Sequence, residues 1–521
     1  MRQGQGETRY DTWPLTGATT HSTMLSFRVY HSGQAAASWP VVGAHVLDRD
    51  GRVTSGKVSF ADGLVSVQRS GRAAVSLAMV HDAGPAGKIV LRTCQLPPRD
   101  EPYVLTVELA RHRLMLYLAK CEEWQMFELT GEHPANVLWE QARRIFIQAM
   151  VAKTPEAANA AASEVLPIAI EASERLAMAH AEILLHRRYA TGGASPAALA
   201  VKVWPGRFGK GLASLIKEHF QLIALPMPWA SMSPAQGVID FDATDRWMQW
   251  AVDAGMRVLA GPVIDCSADA LPEWVRTKAT RYEDLRDICY EHLERVVARY
   301  RGGVAMWNLM AGVNTNSNLK LTQEQMIDLV RMGCLLVRQY RKGARVMVEL
   351  VQPWSEQVGT LGQGLSTEVF LEQLNNEGVH LDALGVRLLV GQSTGGMLCR
   401  DLMEVSCLLD RFVHQERPII ISPAGAPSST IDDAGGHWQT PWDERRQAKW
   451  LTQMATMALS KPFVESVTWC DLYDYDGMVL PTAGLLTQEG TPRQVFHRLA
   501  SLRKRLADPL GPLNLPRKPT S

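Results

Sequence analysis

The second half of this chain alternates short apolar runs with amphipathic stretches of 12 to 20 residues over some 300 residues, and no other feature restricts the fold as much. FQLIALPMP, RVLAGPVID, VAMWNLMAG, RVMVELVQP, LDALGVRLLV, RPIIISPAG and SVTWCDLYD read as buried strands. Between them, ATDRWMQWAVDAG, LRDICYEHLERVVARY, QMIDLVRMGCLLVRQYR and RRQAKWLTQMATMAL space their apolar residues as helices do. Strand–helix alternation calls for a parallel sheet, and seven or eight such units favour a closed (β/α)₈ TIM barrel over a doubly wound sheet. Barrel sites lie at the C-terminal ends of the strands. The residues that close each apolar run are therefore the ones to examine.

Upstream the texture differs. From about Leu25, short alternating or β-branched runs (HVLDRDGRVTSGKVSFADGLVSVQRS, then KIVLRTCQL and YVLTVELA) flank Asp50-Gly51 and Asp62-Gly63, the strongest short-range hairpin signals. This predicts a β-rich, sandwich-like N-terminal domain over 25–130, carbohydrate-binding-like in outline. VLWEQARRIFIQAMVAK and the Ala-rich AANAAASEVLPIAIEASERLAMAHAEILLHRRY predict a helical connector over 131–198. It closes on the Gly/Pro/Ser-rich hinge ATGGASPAALA. The barrel then occupies 199–508, between a disordered leader (1–24, with Met24 a conceivable start) and a tail (509–521).

Several function classes drop out on composition. Lys+Arg and Asp+Glu each number 54, so no electrostatic footprint for a polyanion exists, and neither nucleic acid nor a membrane surface is expected as partner. The eight cysteines include no C-x-x-C pair and the 14 histidines no H-E-x-x-H, so neither a metal site nor a disulfide framework is expected. No cofactor motif stands out: GRFGKG (Gly206 to Gly211) lacks phosphate-loop spacing and reads as the turn into the first barrel helix. The polar, charged start predicts a cytoplasmic protein.

The stretch PWASMSPAQGVIDFDATDRWMQWAVDAGMRVLAGPVI, continued by LPEWV, resembles glycoside hydrolase family 10, the retaining endo-xylanases. It is similar to that family's P-x-x-G-x-x-x-F-x-x-x-D phrase, its Ala-x-x-x-Gly helix end and its strand leading to Pro-x-Trp. ERVVARYRGGVAMWNLMAG resembles the segment before the family's acid/base, RPIIIS its nucleophile strand, and SVTWCDLYDYD its last strand. LDALGVRLL and AGLLTQEGTPRQVFHRL follow in order, so the resemblance runs from about 200 to 508. It implies the barrel, a carbohydrate ligand (an oligosaccharide or polysaccharide) and a pair of catalytic glutamates.

At those two positions the pattern breaks. Where the family writes Trp-Asp-Val-Val-Asn-Glu this chain has Trp307, Asn308, Leu309, Met310, Ala311 and Gly312, and where it writes Ile-Thr-Glu the chain has Ile421, Ser422 and Pro423. Retention needs two carboxyl groups about 5–5.5 Å apart, and neither Gly312 nor Pro423 can pass a proton or form a glycosyl ester. A slip in alignment does not help, since no Asp or Glu lies between Val304 and Lys320 or between Pro418 and Thr430. The family's polar sugar shell falls on Ala224, Leu225, Pro228, Pro262, Arg387 and Leu389, and a further tryptophan position on Gly477. Trp229, Trp307 and Trp469 persist, and with Asn308 and Arg387 they are the expected ligand contacts.

Three readings follow. The first is a non-hydrolytic glycan-binding or interaction platform, which leaves a protein partner or a homo-oligomer open. The second is a divergent hydrolase whose carboxylates have moved, with Asp265, Glu349 and Asp471 as substitutes; the plainer reading has Glu349 paired with Arg387, and Asp265 and Asp474 capping loops. The third is an esterase: GQSTG (Gly391 to Gly395) fits G-x-S-x-G, with Ser393 as nucleophile, Asp432 or Asp433 next, then His437 or His497. Trp39 and Trp124 read as packing residues that could otherwise stack on sugar rings, Trp247 and Trp250 as core, and His180 and His186 as interhelix residues.

Overall fold

The computed structural model describes residues 22–126, 129–190, 198–267 and 270–507. The β-rich N-terminal region contains two sheets. In one, the strands 22–28, 57–61, 64–70 and 103–104 pair, with 57–61 and 64–70 joined by the tight turn Asp62-Gly63, both residues at positive φ (49° and 74°). Aspartate tolerates that region better than most side chains and glycine adopts it freely, so the dipeptide fixes the register. The other sheet pairs 45–47, 53–54, 76–82 and 87–92. Leu25, Phe27, Val65 and Val67 from the first and Leu77, Met79, Ile89 and Leu91 from the second enter one buried cluster, as alternation over half-buried strands requires.

The β-rich region stops earlier than its sequence suggests. Tyr103–Val104 is a two-residue strand, and helix α1 (Leu105–Glu123) starts inside YVLTVELA. That run fits a period of two, but Leu105, Leu109, Leu116 and Val107, Ala110, Leu114, Tyr117 also fit a helical period, and packing decides for the helix by burying all seven. The helical layer therefore begins at Leu105 rather than 131. It continues with α2 (Pro134–Met150), whose Ala135, Ala142 and Ala149 form a buried small-residue stripe, and α3 (Pro155–Ala190), against which α2 packs. Ser22 to Met24 belong to the first strand, so the described end of the leader is ordered; residues 1–21, the hinge 191–197 and the tail 508–521 lie outside the described residues.

Eight parallel strands close the barrel: β1 (Leu199–Lys202), β2 (Leu222–Leu225), β3 (Arg257–Ala260), β4 (Met306–Ala311), β5 (Val346–Leu350), β6 (Ala383–Leu389), β7 (Ile419–Gly425) and β8 (Val464–Trp469). Each pairs with the next, and Leu199 beside Val467 joins β8 to β1. A helix follows each strand. Ala200, Leu222, Ala224, Leu259, Met306, Met347, Ala383 and Ile420 fill the interior as a cluster separate from the core outside the strands. The barrel is packed, not hollow, and any ligand must sit at its mouth.

The N-terminal half is seated on the barrel. Residues 437–438, in the loop after β7, pair antiparallel with 87–88 and extend the second N-terminal sheet. Arg113 of α1 donates two hydrogen bonds to Asp401 (2.7 and 3.1 Å), and that pair is 2% and 0% exposed. Asp401 also accepts from the Met403 and Glu404 amides at the start of helix 402–411, while Glu174 of α3 accepts from the Leu402 amide (3.0 Å) and the Trp438 indole (2.6 Å). Asp410, on the same helix, receives Lys120, Trp124 and Lys461.

Candidate binding site at the barrel mouth

The C-terminal strand ends surround a cavity of about 330 Å³, at the small end of ligand-pocket sizes. Most of its wall is apolar: Pro226, Met227, Pro262, Leu389, Pro423 and Val479. Trp204, just past β1, lies stacked on Tyr475, from the loop after β8, with ring centroids 4.8 Å apart. Both half-buried rings face the cavity. Neither was singled out in the sequence, although Trp204 closes the first strand and so stands where strand-end reasoning looks.

One corner is charged. Glu349 of β5 accepts from Arg387 of β6 through Oε1 (2.5 Å) and from Asn308 of β4 through Oε2 (2.7 Å). Arg387 also reaches Asp265 (3.3 Å), which receives the Ser267 amide on its other oxygen (2.9 Å). Adjacent strand ends thus bring Asn308, Glu349, Asp265 and Arg387 together. Burial raises the Glu349 carboxyl above the usual range, with Arg387 opposing. Burial also works against the Arg387 cation, but Glu349 and Asp265 outweigh it and raise the guanidinium further.

Asp471, beyond β8, is held separately by Lys202 of β1 (3.1 Å) and near the Tyr475 hydroxyl (3.4 Å). It is 1% exposed, and burial raises its carboxyl despite the lysine. Asp474 is tied to Arg493 (2.6 Å) and the Gly484 amide. Among the described residues no group of three or more His, Cys, Asp or Glu is arranged to hold a metal.

The tryptophans expected as ligand contacts are placed otherwise. Met306 and Asn308 face the barrel interior, so alternation turns Trp307 toward the helices, where it is 1% exposed. Trp469 is fully buried against Trp450 and donates to the Ala483 carbonyl (2.8 Å). Neither offers a face to a ligand, because the side of a strand decides what a residue touches and identity alone does not reveal it. Trp229 borders the cavity but is 2% exposed, with its ring stacked on His292 at 4.3 Å. Trp124 stacks on His180 and donates to Asp410, at the seam between the halves. Trp39 packs beside His81, and Trp247 is buried edge-on to Trp250.

Gly312 follows β4 in a left-handed conformation (φ 70°), buried, and an added Cβ would stand 3.3 Å from the Ser267 amide nitrogen. Any longer side chain there meets both backbone strain and crowding. Pro423 sits within β7 and lines the cavity.

The esterase geometry is not formed. A nucleophile elbow joins strand directly to helix, whereas β6 ends at Leu389 and the next helix starts at Leu402. The Ser393 amide donates to Asp432 (2.7 Å), His437 is taken up in the added strand, and His497 is exposed on the last helix. Among the described residues no hydrogen bond joins Ser393 to a histidine.

Fold and site together define a (β/α)₈ barrel with its pocket at the C-terminal ends of the strands. Residues 197–330 match the family model of glycosyl hydrolase family 10. Endo-1,4-beta-xylanase B of Humicola insolens is 28% identical over 82 residues, 16% of this chain and 22% of that xylanase, so the match spans about a fifth of the relative's length. Among solved structures, xylanase 10B of Thermotoga petrophila in complex with xylobiose aligns with 62% of this chain and 98% of its own at 13% identity and a TM-score of 0.47. Native xylanase 10B of Thermotoga maritima aligns over 62% and 99% at 13% identity and 0.46. No helix among the described residues is long and apolar enough to cross a membrane.

Proposed function

We propose that this chain is a non-hydrolytic relative of the family 10 xylanases whose barrel mouth binds a short glycan without cleaving it. The observation that carries this reading is the state of the mouth carboxylates: Glu349, Asp265 and Asp471 are each engaged by an arginine or lysine, while Gly312 and Pro423 occupy the positions where the resemblance puts the two glutamates. A retaining pair needs one acid free to protonate the leaving oxygen and one carboxylate free to attack. Glu349 is 3% exposed, and both its oxygens already accept hydrogen bonds. The Trp204–Tyr475 face suits the C–H side of a sugar ring, and Arg387 and Lys202 supply donors at the rim.

The test has two arms. Xylan, xylo-oligosaccharides and aryl xylosides incubated with the full chain should yield no reducing ends above a protein-free control. Xylo-oligosaccharide binding followed by calorimetry should be measurable, and Trp204→Ala should weaken it roughly tenfold, the order expected for loss of an aromatic platform. Turnover that disappears in Glu349→Gln would instead establish the relocated-acid reading, which the raised Glu349 carboxyl beside Asp265 favours.

A further inference from the structure

Where the loop after β7 meets helix 444–460, positive charge gathers beside a cavity of about 320 Å³ lined by Asp443, Arg445, Arg446 and Lys449, none of which borders the barrel mouth. We propose that this is a binding site for a doubly charged phosphate group, free or carried as an ester. Nothing in the proposal depends on what the mouth binds.

Cations without carboxylates carry the argument. Gln439, held at positive φ (64°), turns its side chain between Arg446 and Lys449, and its Oε1 accepts from the Arg446 guanidinium and from Lys449 Nζ (2.8 Å). The two charges therefore stand within two hydrogen-bond lengths of each other, joined by a neutral oxygen. Both also lie over the Trp438 ring, 5.7 and 5.2 Å from its centroid. Arg446 gives further hydrogen bonds to the Thr440 hydroxyl (2.7 and 3.1 Å). Neither Arg446 nor Lys449 forms an ion pair among the described residues, and the exposed Arg445 side chain has no hydrogen-bond or ion-pair partner among them at all.

The acids nearby are engaged elsewhere. Asp443 accepts from the Arg446 amide (2.6 Å) at the start of helix 444–460, Glu171 pairs with Arg175 (2.7 Å), and Asp433 with Lys88 (2.5 Å). Lys120 and Lys202, which have carboxylate partners, are raised above their ordinary value, whereas burial and then Arg446 lower Lys449. Three cations against one carboxylate leave a surplus of two positive charges at the cavity, close to what a phosphate group neutralises near pH 7. The Arg445 fork and the remaining Lys449 protons are donors free to meet its oxygens. Gln439 and Lys449 also line an adjoining cavity of about 370 Å³ with Glu171, Glu182 and Gln453, a polar space suited to the hydroxyls of an ester's organic part.

Inorganic phosphate, glucose 6-phosphate and acetate, each titrated into the full chain at constant ionic strength and followed by calorimetry, test this. Phosphate or its ester should bind saturably and at least about tenfold more tightly than acetate, which carries one charge. An ester tighter than the free ion marks an organic phosphate as the ligand; otherwise the ligand is the ion itself. Lys449→Gln and Arg445→Gln, both at exposed positions, should each weaken binding about tenfold, the scale of one charge-assisted hydrogen bond. Gln439→Glu keeps the shape of the side chain and puts a carboxylate between the two cations, so it should abolish binding and raise the melting temperature. Absence of saturable binding of either phosphate, acetate bound as tightly, or an unchanged affinity in Lys449→Gln or Gln439→Glu overturns the proposal.

Discussion

At the mouth, three carboxylates (Glu349, Asp265, Asp471) share two cations (Arg387, Lys202), and the two most deeply buried carboxyls are the ones pushed upward by burial. Arg387 is the keystone, since it alone bridges two of the acids. Replacing it with Met keeps much of the side chain's volume but leaves Glu349 and Asp265 without their countercharge. Breaking a buried ion pair on one side costs about 3–5 kcal/mol, so Arg387→Met should lose stability on that scale in urea unfolding. Adding Glu349→Gln should restore part of the loss, because the two changes act on one network. If Arg387→Met proves neutral, the network is not structural and the carboxylates are freer to act than the static geometry shows.

At the scale of elements, β2 to β8 were legible because barrel strands are buried on both faces and read as continuous apolar runs. β1 was not among the runs singled out: its four residues, Leu199–Lys202, begin within the Gly/Pro/Ser-rich stretch and carry too little periodicity to stand out. The opening turn of α1 satisfies two periods at once, so its sequence alone does not separate helix from strand. The site was legible in part. Strand-end reasoning found Glu349, Asp265 and Arg387, but their mutual contacts join positions up to 122 residues apart, which no local pattern encodes. It also misplaced Trp307 and Trp469, whose faces follow from the alternation set by Met306 and by packing against helix 444–460. If Trp307 is core, Trp307→Ala should cost about 3–5 kcal/mol by leaving a cavity. Calorimetry on the folded fraction should nonetheless show unchanged oligosaccharide affinity. A stable Trp307→Ala protein with lost binding would return that ring to the ligand site.

Across the whole molecule, the two halves are joined by a strand pairing and by a polar cluster in which two carboxylates, Glu174 and Asp401, face one guanidinium, Arg113. Burial, reinforced by Asp401, raises the Glu174 carboxyl to about 7. Because the folded state holds that proton more tightly than the unfolded chain, the contribution of Glu174 to stability is greatest below its ordinary value near 4.5. It declines as pH rises from there through about 7, and it is level above. Each unit of difference is about 1.4 kcal/mol, so the decline is on the order of 3 kcal/mol. Glu174→Gln keeps an oxygen for the Leu402 amide and the Trp438 indole and removes the titration. Melting followed from pH 5 to pH 8 should show the wild type losing stability relative to Glu174→Gln, with the variant the more stable of the two at pH 8. Since the seam ties α1 and α3 to helix 402–411, the loss should move the transition of the whole chain and not split off the N-terminal half. Parallel pH profiles for the two proteins would mean that Glu174 is already ionised in the fold and that Arg113 alone suffices for both acids.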